Sequence, residues 1–234
     1  MPAEVGTTES RPHPHPGFFL VLDGPDGGGK TTQAARLADW LRERGLVVVT
    51  CRDPGGTALG NRLRTLLMER DSIGIALGAE MLLFMASRAQ MIEEVIRPAL
   101  EAGRVVVCDR FTLATIVYQG QAGGLDPAAI ARVAAVATGG LLPDLTIVLD
   151  VAPEIARARV GAARDRIEDR PASYHDRVRD GYLEAARGGP GRGADPSPLY
   201  PAPVVLIDAS ADPDTVFQRI QSEVGRVLAL DPRP

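Results

Sequence analysis

The chain has 234 residues, 26 basic against 30 acidic, and a net charge of −4. That length suits one α/β domain burying roughly 70% of its unfolded surface without disulfides, and the near-balanced charge excludes a broad nucleic-acid footprint. No apolar run reaches membrane-spanning length, and the first sixteen residues lack the apolar core of a signal peptide.

Residues 1–16, rich in Pro, Thr and Glu, are expected to be a disordered tail, with no ligand near His13 and His15 to complete a metal site. Phe18–Asp23 is near-continuously apolar, as in a buried parallel strand. Gly24 to Thr31 then fits G-x-x-x-x-G-K-[ST], the phosphate-binding loop, and Ala34, Leu37, Ala38 and Leu41 follow at helical spacing. Strand, glycine-rich loop and helix form the context this motif needs. Glycines at 24, 27, 28 and 29 let backbone N–H groups converge on phosphate oxygens, and the helix start adds partial positive charge. Lys30 can reach the transferred phosphoryl group and Thr31 can ligate Mg²⁺. The ATP-binding stretch is therefore expected at Gly24, Pro25, Asp26, Gly27, Gly28, Gly29, Lys30, Thr31 and Thr32.

Further strands are predicted at Leu46–Thr50, Arg104–Cys108, Leu145–Asp150 and Val204–Asp208. Helices are predicted at about Leu59–Glu69, Leu77–Ala102 (bent or ending near Pro98), Thr112–Gln119, Pro127–Thr138, from Pro153, Tyr174–Arg187 and Asp212–Leu230. Residues 51–57 read as a loop, and 188–203 as a Gly/Pro-rich mobile loop. Strands alternating with helices mean a doubly wound parallel sheet, here as a single domain over 17–230. Cys51 and Cys108 end apolar runs and read as buried free thiols in a reducing compartment.

Three constellations stand out. Asp109 and Arg110 follow an apolar strand, where a phosphate-transfer enzyme places a carboxylate near Mg²⁺ or substrate and a guanidinium for an anionic group; a strand-end Asp capping a turn is the plainer alternative. Phe84 and Arg88 share a helical face, either as a platform for a base or as a core Phe beside a solvated Arg. Thr115, Tyr118 and Gln119 share another such face. Residues 157–170 carry five arginines among Asp165, Glu168 and Asp169: a solvated, salt-bridged helix, or a mobile lid supplying donors to the transferred phosphoryl.

In this order the pieces resemble the thymidylate kinase family, within the nucleoside monophosphate kinases. The resemblance is carried by GPDGGGKTTQ, TCRDPGGT, LLFMASRAQ, DRFTLATIVYQG, PDLTIVLDVAPE and DRIE, and spans about Phe18 to Leu230. It implies a five-stranded P-loop kinase fold flanked by helices with a short lid, and a homodimer. It implies that Asp26 contacts the nucleotide sugar and phosphate region, that Phe84 stacks on thymine and that Arg88 bonds its exocyclic oxygen. Thr115 and Gln119 would lie near the base, Tyr118 beside the sugar, and Asp109 and Arg110 at the acceptor phosphate, with Arg52 and Asp53 in the TCRDPGGT loop of the same site. Gly27 resembles the bacterial type, which draws its catalytic arginine from the lid; Arg159 and Arg164 are the rivals. Lys30 and Arg110 complete the expected catalytic set, and Thr31 and Asp109 the expected metal set. Asp53 departs from the usual glutamate, Phe111 from Tyr or His, and Ala114 from Ser.

The reading that follows is a cytoplasmic enzyme for ATP + dTMP → ADP + dTDP with Mg²⁺, in dTTP synthesis, needing neither nucleic acid nor membrane. The alternatives are a deoxynucleoside kinase or another nucleoside monophosphate kinase, and a regulatory P-loop switch.

Overall fold

A computed structural model describes residues 12–70, 73–160, 165–187 and 200–230. Five parallel strands lie in the order β2-β3-β1-β4-β5: β1 Phe18–Asp23, β2 Val48–Arg52, β3 Val105–Asp109, β4 Leu145–Asp150 and β5 Val204–Asp208. From β1 the chain crosses past β3 to reach β2, and from β3 it crosses past β1 to reach β4. The two connections leave in opposite directions, so a crevice opens at the carboxyl ends of β1 and β3.

Both faces of β1 are covered, which is why its sequence is continuously apolar rather than alternating. Phe18, Leu20 and Leu22 pack toward α1 (Lys30–Glu43). Phe19 and Val21 pack the other way, onto Met91 at the end of α3 (Leu77–Met91) and onto Ile92 and Ile96 just beyond it. Between them in the chain lies α2 (Ala58–Met68), and after α3 a π-helical turn, Ile92–Ile96, continues it into α4 (Arg97–Glu101). The predicted 77–102 helix is thus one rod with a widened turn. Pro98 offers no N–H to the Glu94 carbonyl and its ring crowds that oxygen, and the extra residue in the turn relieves both.

After β3 come α5 (Thr112–Thr115) and a π-helical stretch, Ile116–Ala122, so this helix runs three residues past the predicted Gln119. Then follow α6 (Pro127–Thr138), α7 (Pro153–Val160), α8 (Ala172–Ala186) and α9 (Pro213–Val227). Asp126 caps α6 through the N–H groups of Ala128 and Ala129, and Gly139, in the left-handed region, stops it.

Other boundaries differ from the sequence reading. β2 begins at Val48, not Leu46, because the Leu46 N–H closes the C-terminus of α1 on the Leu41 carbonyl. It runs through Cys51 and Arg52, expected in a loop, because β3 pairs with it as far as Asp109. His13, expected in the tail, is buried with Nε2 3.0 Å from an Asp144 oxygen, and residues 1–11 of that expected tail lie outside the described residues. Of the expected mobile loop, 188–199 lie outside them too; Tyr200 and Ala202 are buried, with the Tyr200 hydroxyl 2.6 Å from that of Thr146. Cys108 is buried, and Cys51, its neighbour across β2 and β3, is half-buried; both are free thiols.

Candidate active site

The loop after β1 is shaped by close approach. Gly27 has φ 78°, and a Cβ there would stand 2.5 Å from the Ala156 carbonyl oxygen on α7, so only glycine lets α7 lie over the loop. Gly29 starts α1 from the left-handed region with no side chain capping the first turn, leaving N–H groups for an anion. Lys30 is buried. Its Nζ donates to the Pro25 carbonyl at 2.7 Å and lies 3.9 Å from an Asp26 oxygen. Burial and the nearby Arg110 bring the ammonium down to about 8, against the pull of Asp26, Asp109 and Asp23.

β3 ends beside this loop, with Asp109 in register with Leu22 of β1 and Arg52 of β2. Thr31 donates its hydroxyl to Asp109 at 2.6 Å, and Arg52 Nε stands 3.8 Å from the same carboxylate oxygen. Arg110 has φ 71°, rare for a side chain this large and a cost that its surroundings must offset. The turn sends its guanidinium back to the phosphate loop. It donates to the Gly24 carbonyl (2.9 Å), to Asp26, and to the hydroxyls of Tyr118 and Tyr182 (both 3.2 Å). Burial works against the charge of Arg110, but Asp26 and Asp23 hold its pKa well above the usual value. Burial likewise opposes ionisation of Asp26, yet Arg110 and Lys30 bring it down to about 2. Asp23, fully buried behind them, is pushed up by burial and accepts from Tyr182.

A cleft of about 620 Å³, counting its mouth, opens from Arg110 toward α3. It is lined by nine of the expected acceptor residues: Asp26, Arg52, Asp53, Phe84, Arg88, Arg110, Thr115, Tyr118 and Gln119. Asp109, the tenth, is not part of that lining and accepts from Thr31 instead. Phe84 and Arg88 do share a face, but Arg88 is not a solvated arginine. It is 1% exposed and pairs with Asp53 through Nε, with the Phe111 carbonyl at 3.2 Å and the Thr115 hydroxyl at 2.9 Å through one terminal nitrogen. The shorter Asp53 therefore still reaches its cation. Burial pushes its pKa up against the pull of Arg88. Gln119 donates its amide N–H to Glu80 at 2.8 Å.

The arginine-rich segment divides. Arg159 on α7 donates to the carbonyls of Ala209 (2.9 Å), Ala211 (3.3 Å) and Ser210 (3.4 Å), and lies 3.5 Å from that of Gly27. Arg164 lies outside the described residues. Arg166 and Arg170 turn inward to Glu80, and Asp165, Ile167 and Glu168 form a wall of the cleft. Sequence reasoning missed Glu80, Tyr182 and the cleft-lining Arg64 and Met68. A lone carboxylate in an apolar helical pattern was the one visible signal, at Glu80.

For a cation, Thr31 and Asp109 supply a hydroxyl and a carboxylate side by side, hard oxygen donors of the kind Mg²⁺ accepts alongside phosphates and water. Among the described residues no three His, Cys, Asp or Glu gather into a cage. The protein side would thus provide part of a shell that a nucleotide completes.

The family model described as thymidylate kinase matches residues 22–192. A thymidylate kinase of Symbiobacterium thermophilum is 42% identical over 90% of this chain and 94% of its own length. One from a Synechococcus species is 44% identical over 93% of this chain and all of its own. The crystal structure of thymidylate kinase from Ehrlichia chaffeensis superposes with a TM-score of 0.70 at 28% identity, covering 89% of this chain and 98% of that one. With a phosphate loop, an inward-turned arginine and a base-sized cleft on one crevice, the chain belongs to the thymidylate kinase family.

Proposed function

We propose that the cleft between Arg110 and Phe84 seats dTMP, with its phosphate at Arg110 and its base between Phe84 and Arg88. The family's reaction is phosphoryl transfer from ATP to dTMP with Mg²⁺. The observation that carries the site assignment is Arg110, turned back through left-handed backbone so that one guanidinium meets both the phosphate loop and the cleft. Lys30 and the N–H groups of Gly27 to Thr32 would receive the donor phosphates, and Thr31 and Asp109 would hold Mg²⁺, which neutralises phosphate charge. Arg159 or Arg164 would complete charge stabilisation from the lid.

The acceptor is already an anion, so positioning and charge neutralisation suffice and no strong base is required. Asp26, held at about 2, is a weak base, which favours a phosphate acceptor over the hydroxyl of a deoxynucleoside. The stacking surface of Phe84 beside Arg88 favours a metabolite kinase over a regulatory switch. A coupled ADP-release assay over a panel of monophosphates tests this: turnover should be fastest with dTMP and should collapse in Arg110→Ala. Equal turnover with deoxythymidine, or with dCMP, would reject the assignment.

A homodimer is the expected assembly. Leu59 on α2, Leu82 on α3 and Val136 on α6 are exposed on three helices that pack side by side. Val136→Glu should shift the mass in light scattering from two chains to one. Among the described residues no helix is long and apolar enough to cross a membrane, and soluble nucleotide substrates fit a cytoplasmic enzyme.

A further inference from the structure

Glu80 has no exposed surface, yet neither the phosphate loop nor the cleft lining includes it. Its carboxylate is shared by three donors from two other parts of the chain. Oε1 accepts from Gln119 Nε2 at 2.8 Å and from Arg170 at 2.9 Å. Oε2 accepts from Arg166 and from Arg170, each at 2.7 Å. The arginines are fastened further: Arg166 donates to the Leu67 carbonyl at 3.0 Å, and Arg170 to the Tyr174 hydroxyl at 2.6 Å, which itself donates to the Tyr118 carbonyl at 2.8 Å. One buried acid thus joins α3, the Gln119 side chain and the returning end of the lid.

A carboxylate in this setting accepts only. The amide of Gln119 must therefore face it with nitrogen, and the carbonyl oxygen is the end of the amide left to serve the cleft that Gln119 lines. Without Glu80 the two ends of the amide are nearly isosteric and either could face inward. We infer that Glu80 is a positioning residue that fixes the polarity of Gln119, so that the cleft offers an acceptor to the ring N–H of the base. The inference rests on the dTMP reading of the cleft. Thymine carries a proton on the ring nitrogen at that edge. Cytosine carries a lone pair there, which a carbonyl oxygen repels. A buried acceptor left unpaired discriminates strongly between the two.

Glu80→Gln keeps the shape but offers both donor and acceptor, so Gln119 can turn over. The kcat/KM ratio of dTMP to dCMP should fall about tenfold or more, whatever happens to total activity. In a Gln119→Ala background the same change at Glu80 should leave the ratio unmoved, because the reader is gone. If Glu80→Gln does not fold, Glu80→Asp gives the same readout: it keeps the charge for Arg166 and Arg170 but withdraws the oxygens from Gln119 by one methylene. A purely structural Glu80 would lower melting temperature and both activities together; an unmoved ratio, or a fall that persists in Gln119→Ala, overturns the inference. A wild-type enzyme inactive on dTMP overturns the functional reading and this inference with it, whereas activity on dTMP with an unmoved ratio overturns the inference alone.

Discussion

Tyr118 donates its hydroxyl to Asp26 across 2.8 Å, joining the helix after β3 to the phosphate loop after β1. The same hydroxyl accepts from Arg110 at 3.2 Å, so acceptor side and donor side share one bonded cluster. Tyr118→Phe keeps the ring and removes both bonds. The expected loss is about 1–1.5 kcal/mol of positioning, seen as roughly a tenfold rise in KM for dTMP with little change in melting temperature. Steady-state kinetics on the two proteins check this, and an unchanged KM counts against it.

Arg88 and Asp53 form a pair in which each side chain is 1% exposed. Arg88→Ala leaves a buried carboxylate without its cation, which should cost about 3–5 kcal/mol in urea unfolding. Adding Asp53→Asn should recover much of that stability. The preference for dTMP over dCMP should stay weakened in both variants, because the donor that meets the base carbonyl is missing. Recovery of stability together with full recovery of preference would mean that Arg88 serves the fold and not the base.

With Gly27 in the loop, donors for the transferred phosphoryl must come from elsewhere. Arg159→Ala or Arg164→Ala should lower kcat at least tenfold, about 1.4 kcal/mol, while dTMP affinity changes far less. Single-turnover rates and equilibrium binding of dTMP separate the two effects. If neither variant nor the double one moves kcat that far, the lid arginines are not the source.

Lys30 in the free enzyme titrates at about 8, down from 10.5, through burial and Arg110. Bound phosphates favour the ammonium, so ATP raises this pKa. Above pH 8 binding must then take up a proton, and ATP affinity should fall as pH rises, by at most about tenfold per pH unit. Calorimetry at pH 9 in two buffers of different ionisation enthalpy measures the uptake, which should vanish in Lys30→Ala. That variant should fold and lose turnover by orders of magnitude.

What the sequence determined by itself is local. The phosphate loop, the five strands and most helices are legible because contiguous residues carry them: eight residues for the loop, apolar runs for the strands, of which β1, β3 and β4 are covered on both faces, and Asp126 and Gly139 for the ends of α6. Side chains one helical turn apart, such as Phe84 and Arg88, were also legible as one face. What only the tertiary structure decided is the set of partners. Spacing left Arg88 open between a base platform and a solvated side chain, and the 157–170 arginines open between a salt-bridged helix and a lid; the fold sets Arg88 against Asp53 and joins Arg166 and Arg170 to Glu80. Arg110 reaches Asp26 only because β1 and β3 are neighbours in the sheet although the two residues stand 84 positions apart. Local sequence sets φ, ψ and periodicity, but the worth of a buried charge depends on which opposite charge the strand order delivers to it.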